Sequence, residues 1–181
     1  WLELPGRIVG LHFMVGMIFL GTIVYAAAAA WRGSAPVSHG YRIVALSAAG
    51  AGTLLVSLGA TVVATGAMHA CGTEWPLCNG SVVAGDRFGA LQVVHRTVGY
   101  AVVGLTIALL VVALRGGGPV LPAAAPVALS LAQVCFGIGI VLTGHGTLAH
   151  DAFRVLHVAG SGAVWASLVV LFTFAVLPSS R

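Results

Sequence analysis

Charged residues are scarce in this sequence. None of its 181 residues is a lysine, four are acidic and 7% are charged, whereas 59% are hydrophobic. With a mean hydropathy of +1.06, so much apolar surface cannot be hidden in one soluble core, so the composition excludes a soluble globular protein and indicates a membrane protein. The formal charge of +4 comes from arginines in or beside the predicted loops and gives no reason to expect nucleic-acid binding.

Acidic side chains and lysines are missing from the middle of every long apolar run. Proton pumps and ion-coupled transporters usually carry such groups within their spans, so the sequence disfavours both. The apolar runs themselves approach or exceed the ~20 residues that a helix needs to cross a bilayer core. They are Ile8–Trp31, Ile43–Ala67, Thr97–Leu114 with an extension back to Phe88, Val120–Leu142 and Val155–Leu177. We predict an all-α membrane protein, a bundle of five transmembrane helices.

The first run has some features of a signal peptide, because Arg7 precedes it and small residues follow at Ala26–Ala30. It is longer than the ~7–15-residue apolar region of a signal peptide, and it contains His12. We therefore interpret it as a span.

Arginines divide equally between the two sides of the membrane, so the positive-inside rule decides orientation only weakly. One side receives Arg32, Arg42, Arg115 and Arg181, and the other receives Arg7, Arg87, Arg96 and Arg154 with the acids Glu3, Glu74, Asp86 and Asp151. Cys71 and Cys78 fall on the acid-bearing side, where a disulfide would persist only in an oxidising exterior. This favours the cytoplasmic membrane, with the N-terminus and cysteine loop outside and the C-terminus inside.

Three cysteines and several loop histidines are candidates for redox or metal chemistry. The C-x6-C spacing of Cys71 and Cys78 suits a disulfide or redox pair better than zinc, and both a structural staple and a catalytic dithiol are open readings. Cys135, in the fourth run, is interpreted as a small core residue. The outer histidines His69, His145 and His150 are scattered, which disfavours a zinc or copper centre.

Three histidines stand at matched positions in their spans. The segments are V-G-L-H-F-M-V-G around His12, Q-V-V-H-R-T-V-G around His95 and R-V-L-H-V-A-G-S-G around His157. At ~1.5 Å per residue, each imidazole lies at most ~10 Å below the outer surface. The pattern suggests an internal repeat, two copies of a two-helix unit at 41–115 and 122–178 preceded by a histidine-bearing helix.

A histidine inside a bilayer is costly unless it is paired or liganded. One such residue could simply bond between helices, but three at matched depth favour ligation. Imidazoles from facing helices can supply both axial positions of a heme iron, and Arg96 and Arg154 could pair with its propionates or merely anchor the interface.

We predict one transmembrane domain, 1–181, with an added span at 6–31, a four-helix heme-binding unit at 41–178, and outer loops at 68–87 and 144–151.

Two local features carry further predictions. Gly52, Gly59 and Gly66 form a heptad-spaced stripe in the second span, which favours tight helix packing over ligand space. Asp151 is predicted to cap the fifth helix.

The chain resembles the heme A synthases across the second to fifth spans. The similarity rests on Thr65-Gly66, the Cys71–Gly80 block that ends in W-P-L-C-N-G, the His95-Arg96 pair, Gln133 with Gly137, and His157. It implies an oxidoreductase that converts the C8 methyl of heme O to the formyl of heme A. It also implies His95 and His157 as axial ligands of heme b, heme O as substrate, and heme O synthase and terminal-oxidase assembly as partners.

The resemblance has two departures. That family usually has eight helices and four ligand histidines, whereas this chain has five predicted helices and three candidates. His12 would then bind a second heme with another subunit, which favours a homo-oligomer. The family also commonly has glutamate three residues before the first ligand, where this chain has Gln92, so Gln92 and Glu74 are the candidate catalytic residues.

Two other functions fit part of the pattern. A noncatalytic bis-histidine b-type cytochrome, carrying electrons between quinone and an outer acceptor, would need the histidines but gives no reason for the cysteine loop. A structural membrane subunit would use the histidines only for bonds between helices.

Overall fold

The computed structural model describes residues 4–31, 36–82, 85–143 and 146–178, and it confirms the all-α membrane fold. The five long helices are α1 (Gly6–Trp31), α2 (His39–Thr65), α3 (Arg87–Val112, continued by a π turn at Ala113–Gly117), α4 (Val120–Leu142) and α5 (Leu148–Val176). Each is long and apolar enough to cross a membrane, so the chain is a multi-pass membrane protein. Glu3, Arg32, His145 and Arg181 lie outside the described residues.

Polar side chains define where three of the helices begin. Ser38 accepts a hydrogen bond from the backbone N–H of Tyr41 at the start of α2, and Asp86 accepts bonds from the first turn of α3. The prediction that Asp151 caps α5 is wrong. Thr147 caps this helix by accepting from the N–H of His150, so the polar residues ahead of the apolar run already form its first two turns.

The end of α2 leads directly into the cysteine loop. Gly66 has φ +72°, the left-handed conformation that glycine adopts without a steric penalty, and its N–H bonds back to the carbonyls of Val62 and Val63. A short 3-10 turn at Ala67–His69 follows. Gly66 therefore ends the helix and does not extend the predicted packing stripe, whereas Gly52 belongs to it because Leu168 occupies the space beside its backbone.

Helices α2 to α5 form a square, with α1 outside it. α2 packs against α3 and α5, and α4 packs against the same two helices. This arrangement places α3 and α5 at opposite corners. α1 packs against α2 and α5, and it is fixed to α5 where Nε1 of Trp165 donates to the carbonyl of Met17 at 2.8 Å.

The best-packed core lies at the end of the square away from the cysteine loop. Tyr41 opens α2, Leu109 is near the end of α3, and Leu168 and Leu171 are in the second half of α5; all four are at most 1% exposed. Since the helices alternate in direction, these residues share one end of the bundle. His95 and His157, early in α3 and α5, lie toward the other end.

Candidate functional site

His95 lies two turns into α3 and is half-buried. Its ring faces α2 where that helix has no side chain, because a Cβ atom at Gly59 would lie 3.4 Å from Cε1 of His95. Nδ1 of His95 is buried and has no hydrogen-bond partner among the described residues. Leaving such a polar atom unsatisfied costs about 1–3 kcal/mol, so a ligand or water that bonds it would be stabilising.

His157, on α5, has a defined protonation pattern. Its Nδ1 is 3.2 Å from the backbone carbonyl oxygen of Gln133 on α4. Because a carbonyl oxygen only accepts, Nδ1 carries the proton and Nε2 keeps its lone pair. Metal-ligating histidines usually donate their second ring N–H to a carbonyl or carboxylate in this way, so His157 has the tautomer that a metal requires.

Gln133 returns a second hydrogen bond to the same residue. Its Nε2 donates to the backbone carbonyl of His157 at 2.9 Å. The amide has room because position 160 is a glycine: a Cβ atom there would lie 2.6 Å from Oε1 of Gln133. Along the Nδ1–Cε1 edge of the ring, a Cβ at Gly137 would lie 3.4 Å from Cε1 of His157. Gln133 and the two glycines together fix the position of the imidazole.

The two half-buried histidines share one feature of their surroundings. In each two-helix unit, Cε1 of the imidazole faces a glycine of the preceding helix, Gly59 for His95 and Gly137 for His157, with the same 3.4 Å spacing. The two rings differ at Nδ1, which has a carbonyl partner in His157 and none among the described residues in His95. The rings belong to opposite corners of the square, and His157 is close enough to His95 to interact with it electrostatically.

Cys71 and Cys78 form a disulfide, which confirms that part of the sequence prediction. Both are 1% exposed, and the backbone N–H of Cys78 donates to the carbonyl of Ser81 at 2.8 Å. The interpretation of Cys135 as a core residue is wrong, because its side chain is exposed on α4. An apolar span of a membrane protein can turn small residues to lipid as readily as to protein, so the sequence alone did not determine its direction.

Arg96 binds the cysteine loop to α3. Its Nη1 donates to three backbone carbonyls, those of Glu74 at 3.2 Å, Pro76 at 3.4 Å and Leu77 at 3.1 Å. The adjacent residues His95 and Arg96 therefore have different partners, since the imidazole faces α2 and the guanidinium holds the loop. A guanidinium has five N–H donors, so these contacts still leave Arg96 donors for a propionate.

The other polar candidates at this end have partners of their own. Arg154 is exposed and lies 3.6 Å from the carboxylate of Asp151. Oε2 of Glu74 accepts from the N–H of Gly80 at 2.6 Å. Nε2 of Gln92 donates to the carbonyls of Ala67 at 2.9 Å and Met68 at 3.0 Å. Glu74, Gln92 and Arg96 thus all stabilise the segment that carries the disulfide.

The third predicted ligand stands apart from this arrangement. His12 is exposed on α1, the helix outside the square, and a Cβ at Gly16 one turn later would meet nothing within 4 Å. The structure therefore brings His95 and His157 together and leaves His12 on the outer surface of the bundle.

His69 and His150 are the pair that sequence reasoning missed. They were interpreted as scattered, yet their ring centroids are 6.2 Å apart, and His150 is only 2% exposed. The available signal was their position: each stands at a span end on the same side of the membrane. His145, the third member of that predicted set, lies outside the described residues. Within the described ranges, no group of three His, Cys, Asp or Glu residues is arranged to hold a metal.

Comparison with protein-family models, curated proteins and solved structures finds no match to this chain. The functional argument therefore depends on its own residues, above all on the two imidazoles at opposite corners of the square and the disulfide loop beside them.

Proposed function

We propose that the protein is a heme-binding membrane oxidoreductase of the heme A synthase type, which converts the C8 methyl of heme O to the formyl of heme A. One observation carries this proposal. His95 and His157 come from helices at opposite corners of a four-helix square, and each imidazole faces a glycine at the same spacing.

The residues present fit a heme. His157 has its Nδ1–H bonded to a carbonyl, which leaves Nε2 free to donate to iron, and His95 has a buried nitrogen that finds no partner in the described part of the chain. Two neutral imidazoles from facing helices are a common axial pair. When bound, heme would supply the redox chemistry, whereas the chain supplies ligation, orientation and a site with little water.

The loop residues support this role because they are bound to α3, the helix that carries His95. Arg96 and Gln92 together donate to five backbone carbonyls between Ala67 and Leu77. The Cys71–Cys78 disulfide cross-links the same stretch of chain. A loop held this firmly beside His95 would limit access of water to the site. Glu74 remains the candidate acid for catalysis, since it lies in the segment that Arg96 binds.

Orientation and partners belong to the same proposal. A disulfide persists in an oxidising compartment, so the loop would face the exterior of the cytoplasmic membrane. Heme O synthase and terminal-oxidase assembly would be partners of such an enzyme. His12, exposed on α1, would bind a second heme only together with another copy of the chain.

A noncatalytic b-type cytochrome is the second candidate, and a specific observation favours it. The α3 sequence from Arg87 to Val112 contains no acidic residue, and the amide of Gln92 is bonded to two loop carbonyls. Without a carboxylate beside the first histidine, the site would hold heme and pass electrons between quinone and an outer acceptor without oxidising a methyl group.

Co-expression with a source of heme O, followed by pigment extraction, distinguishes the two functions. Heme A above the level of a His95→Ala variant supports the synthase. Bound heme b with no heme A supports the cytochrome, especially if electron transfer survives in the double variant Cys71→Ser with Cys78→Ser. A colourless protein contradicts both and favours a structural subunit.

A further inference from the structure

An open groove lies between the end of α2 and the start of α3, on the side of the cysteine loop. It is lined by Thr65, Arg87, Phe88 and Leu91. Its volume of about 520 Å³ lies within the range of sites that bind small organic molecules, about 300–1,000 Å³. Thr65 is the last residue of α2 and Arg87 is the first of α3, so the groove opens where two candidate spans end. Lipid headgroups lie at this depth.

Arg87 brings a positive charge to the groove. Its guanidinium carbon lies over the ring of Phe88, 4.7 Å from the ring centroid, which holds the cation against the groove wall. Among the described residues, the guanidinium has no carboxylate partner. The neighbouring carboxylate of Asp86 accepts instead from the backbone N–H groups of Phe88 and Gly89. An anion in the groove would therefore bind the side chain of Arg87 and not these two amides.

The other lining residues determine what kind of anion fits. Phe88 and Leu91 are apolar and half-buried. The hydroxyl of Thr65 donates to the carbonyl of Thr61 at 2.7 Å, so its oxygen is left to accept a hydrogen bond. A free phosphate ion would leave the apolar wall in contact with water, whereas an amphiphile with an anionic headgroup would cover it.

Apolar side chains continue from the groove toward the middle of the bilayer. Leu54 precedes Thr65 by about three helical turns and Val94 follows Arg87 by about two, so each shares a face with the groove residue of its own helix. Leu54 is 51% exposed and Val94 is 48% exposed. Because α2 packs against α3, the two faces border the same surface. A hydrocarbon chain attached to a headgroup in the groove would lie on this surface.

We propose that the groove binds one anionic phospholipid of the bilayer. The phosphodiester pairs with the guanidinium of Arg87, which can donate two parallel hydrogen bonds to phosphate oxygens, and a headgroup hydroxyl donates to Thr65. An acyl chain packs along Leu91 and Val94. The formal charge of +4 favours a partner of this sign. The site is separate from the imidazole pair and does not require heme, because Arg87 precedes His95 by eight residues, about 12 Å along α3.

Native mass spectrometry of the full chain tests the proposal after incubation in neutral detergent with equal amounts of dioleoyl phosphatidylglycerol and dioleoyl phosphatidylcholine. We expect one phosphatidylglycerol to be retained per chain, in clear preference to phosphatidylcholine. Arg87→Gln should weaken this retention about fivefold, the scale of one arginine near an anionic lipid. Arg7→Gln is the matched control, since Arg7 is an exposed arginine in the first turn of α1 at the same end of the bundle, and it should leave retention unchanged.

Leu91→Trp tests the groove itself and not its charge. The larger ring would occupy the groove and leave Arg87 in place, so retention should fall as it does in Arg87→Gln. Equal retention of the two lipids by the parent would overturn the proposal, as would equal losses in Arg7→Gln and Arg87→Gln. Displacement of the lipid by an equal concentration of inorganic phosphate would indicate a simple anion site and would also overturn it. Loss of bound heme in Arg87→Gln would contradict two separate sites.

Discussion

His157 and Gln133 bind each other twice. The ring Nδ1–H of His157 donates to the Gln133 carbonyl at 3.2 Å, and the Gln133 side chain donates to the His157 carbonyl at 2.9 Å. The pair sets both the rotation and the tautomer of the imidazole before any ligand arrives. Preorganisation of this kind lowers the cost of binding, because the ring does not have to be ordered by the ligand.

Gly160→Ala should disturb this pair. The new Cβ would lie 2.6 Å from Oε1 of Gln133, so the amide must move and the bond to His157 is lost. Overpacking of this kind costs about 1–3 kcal/mol, and we expect lower heme occupancy and a lower melting temperature. Gly162→Ala is the control, because its Cβ would meet only Leu20 at an ordinary 3.7 Å. Equal effects of the two variants would argue against a role for Gln133 in positioning the ring.

Substitutions of Gly59 should depend on size. An alanine Cβ would lie 3.4 Å from Cε1 of His95, at the edge of ordinary contact, so Gly59→Ala should retain most of the heme. A leucine at this position needs the volume that the His95 ring occupies, so Gly59→Leu should lose the bound heme. Gly50→Leu, on the same helix but with open space around it, is the control. Heme bound per chain after purification measures the series, and full occupancy in Gly59→Leu would place the heme elsewhere.

Arg96→Gln should release the cysteine loop. The variant loses the hydrogen bonds to three carbonyls. A hydrogen bond from a charged group is worth about 1.5–3 kcal/mol. We expect limited proteolysis between Glu74 and Leu77 to be several-fold faster than in the parent. Arg154→Gln, at an exposed arginine with one carboxylate partner, should leave the loop protected. Equal protection in both variants would show that Arg96 does not hold the loop.

Gln92→Glu should destabilise the protein. The amide donates to the carbonyls of Ala67 and Met68, whereas an ionised carboxylate can only accept. The substitution therefore places a carboxylate oxygen against two carbonyl oxygens. A loss of about 1–3 kcal/mol is expected, seen as a lower melting temperature, with a smaller loss for the uncharged Gln92→Met. A Gln92→Glu variant as stable as the parent would mean that this amide is free to take part in chemistry.

Hydropathy predicted the helices well because bilayer thickness alone fixes how long an apolar run must be. The fourth span, Val120–Leu142, has the same limits in the sequence prediction and in the structure. The sequence did not determine which side of this helix faces the rest of the bundle. Cys135 was assigned to the core and is exposed, since lipid and neighbouring helices are equally apolar partners.

The site could be predicted only in part for a similar reason. His95 and His157 are candidates because a histidine in a span is costly without a partner. The meeting of His69 with His150 depends on how the loop after α2 reaches the start of α5, which no local pattern encodes. The Thr147 cap was missed because the polar first turns of α5 precede its apolar run.

The absorption spectrum of the purified full chain, with pyridine hemochrome analysis, tests the central claim most directly. After expression with ample heme supply, we predict a reducible spectrum with a Soret band, abolished or strongly reduced in both His95→Ala and His157→Ala and unchanged in the exposed control His39→Ala. A colourless protein, or pigment that persists in both variants, would contradict heme ligation by these two imidazoles.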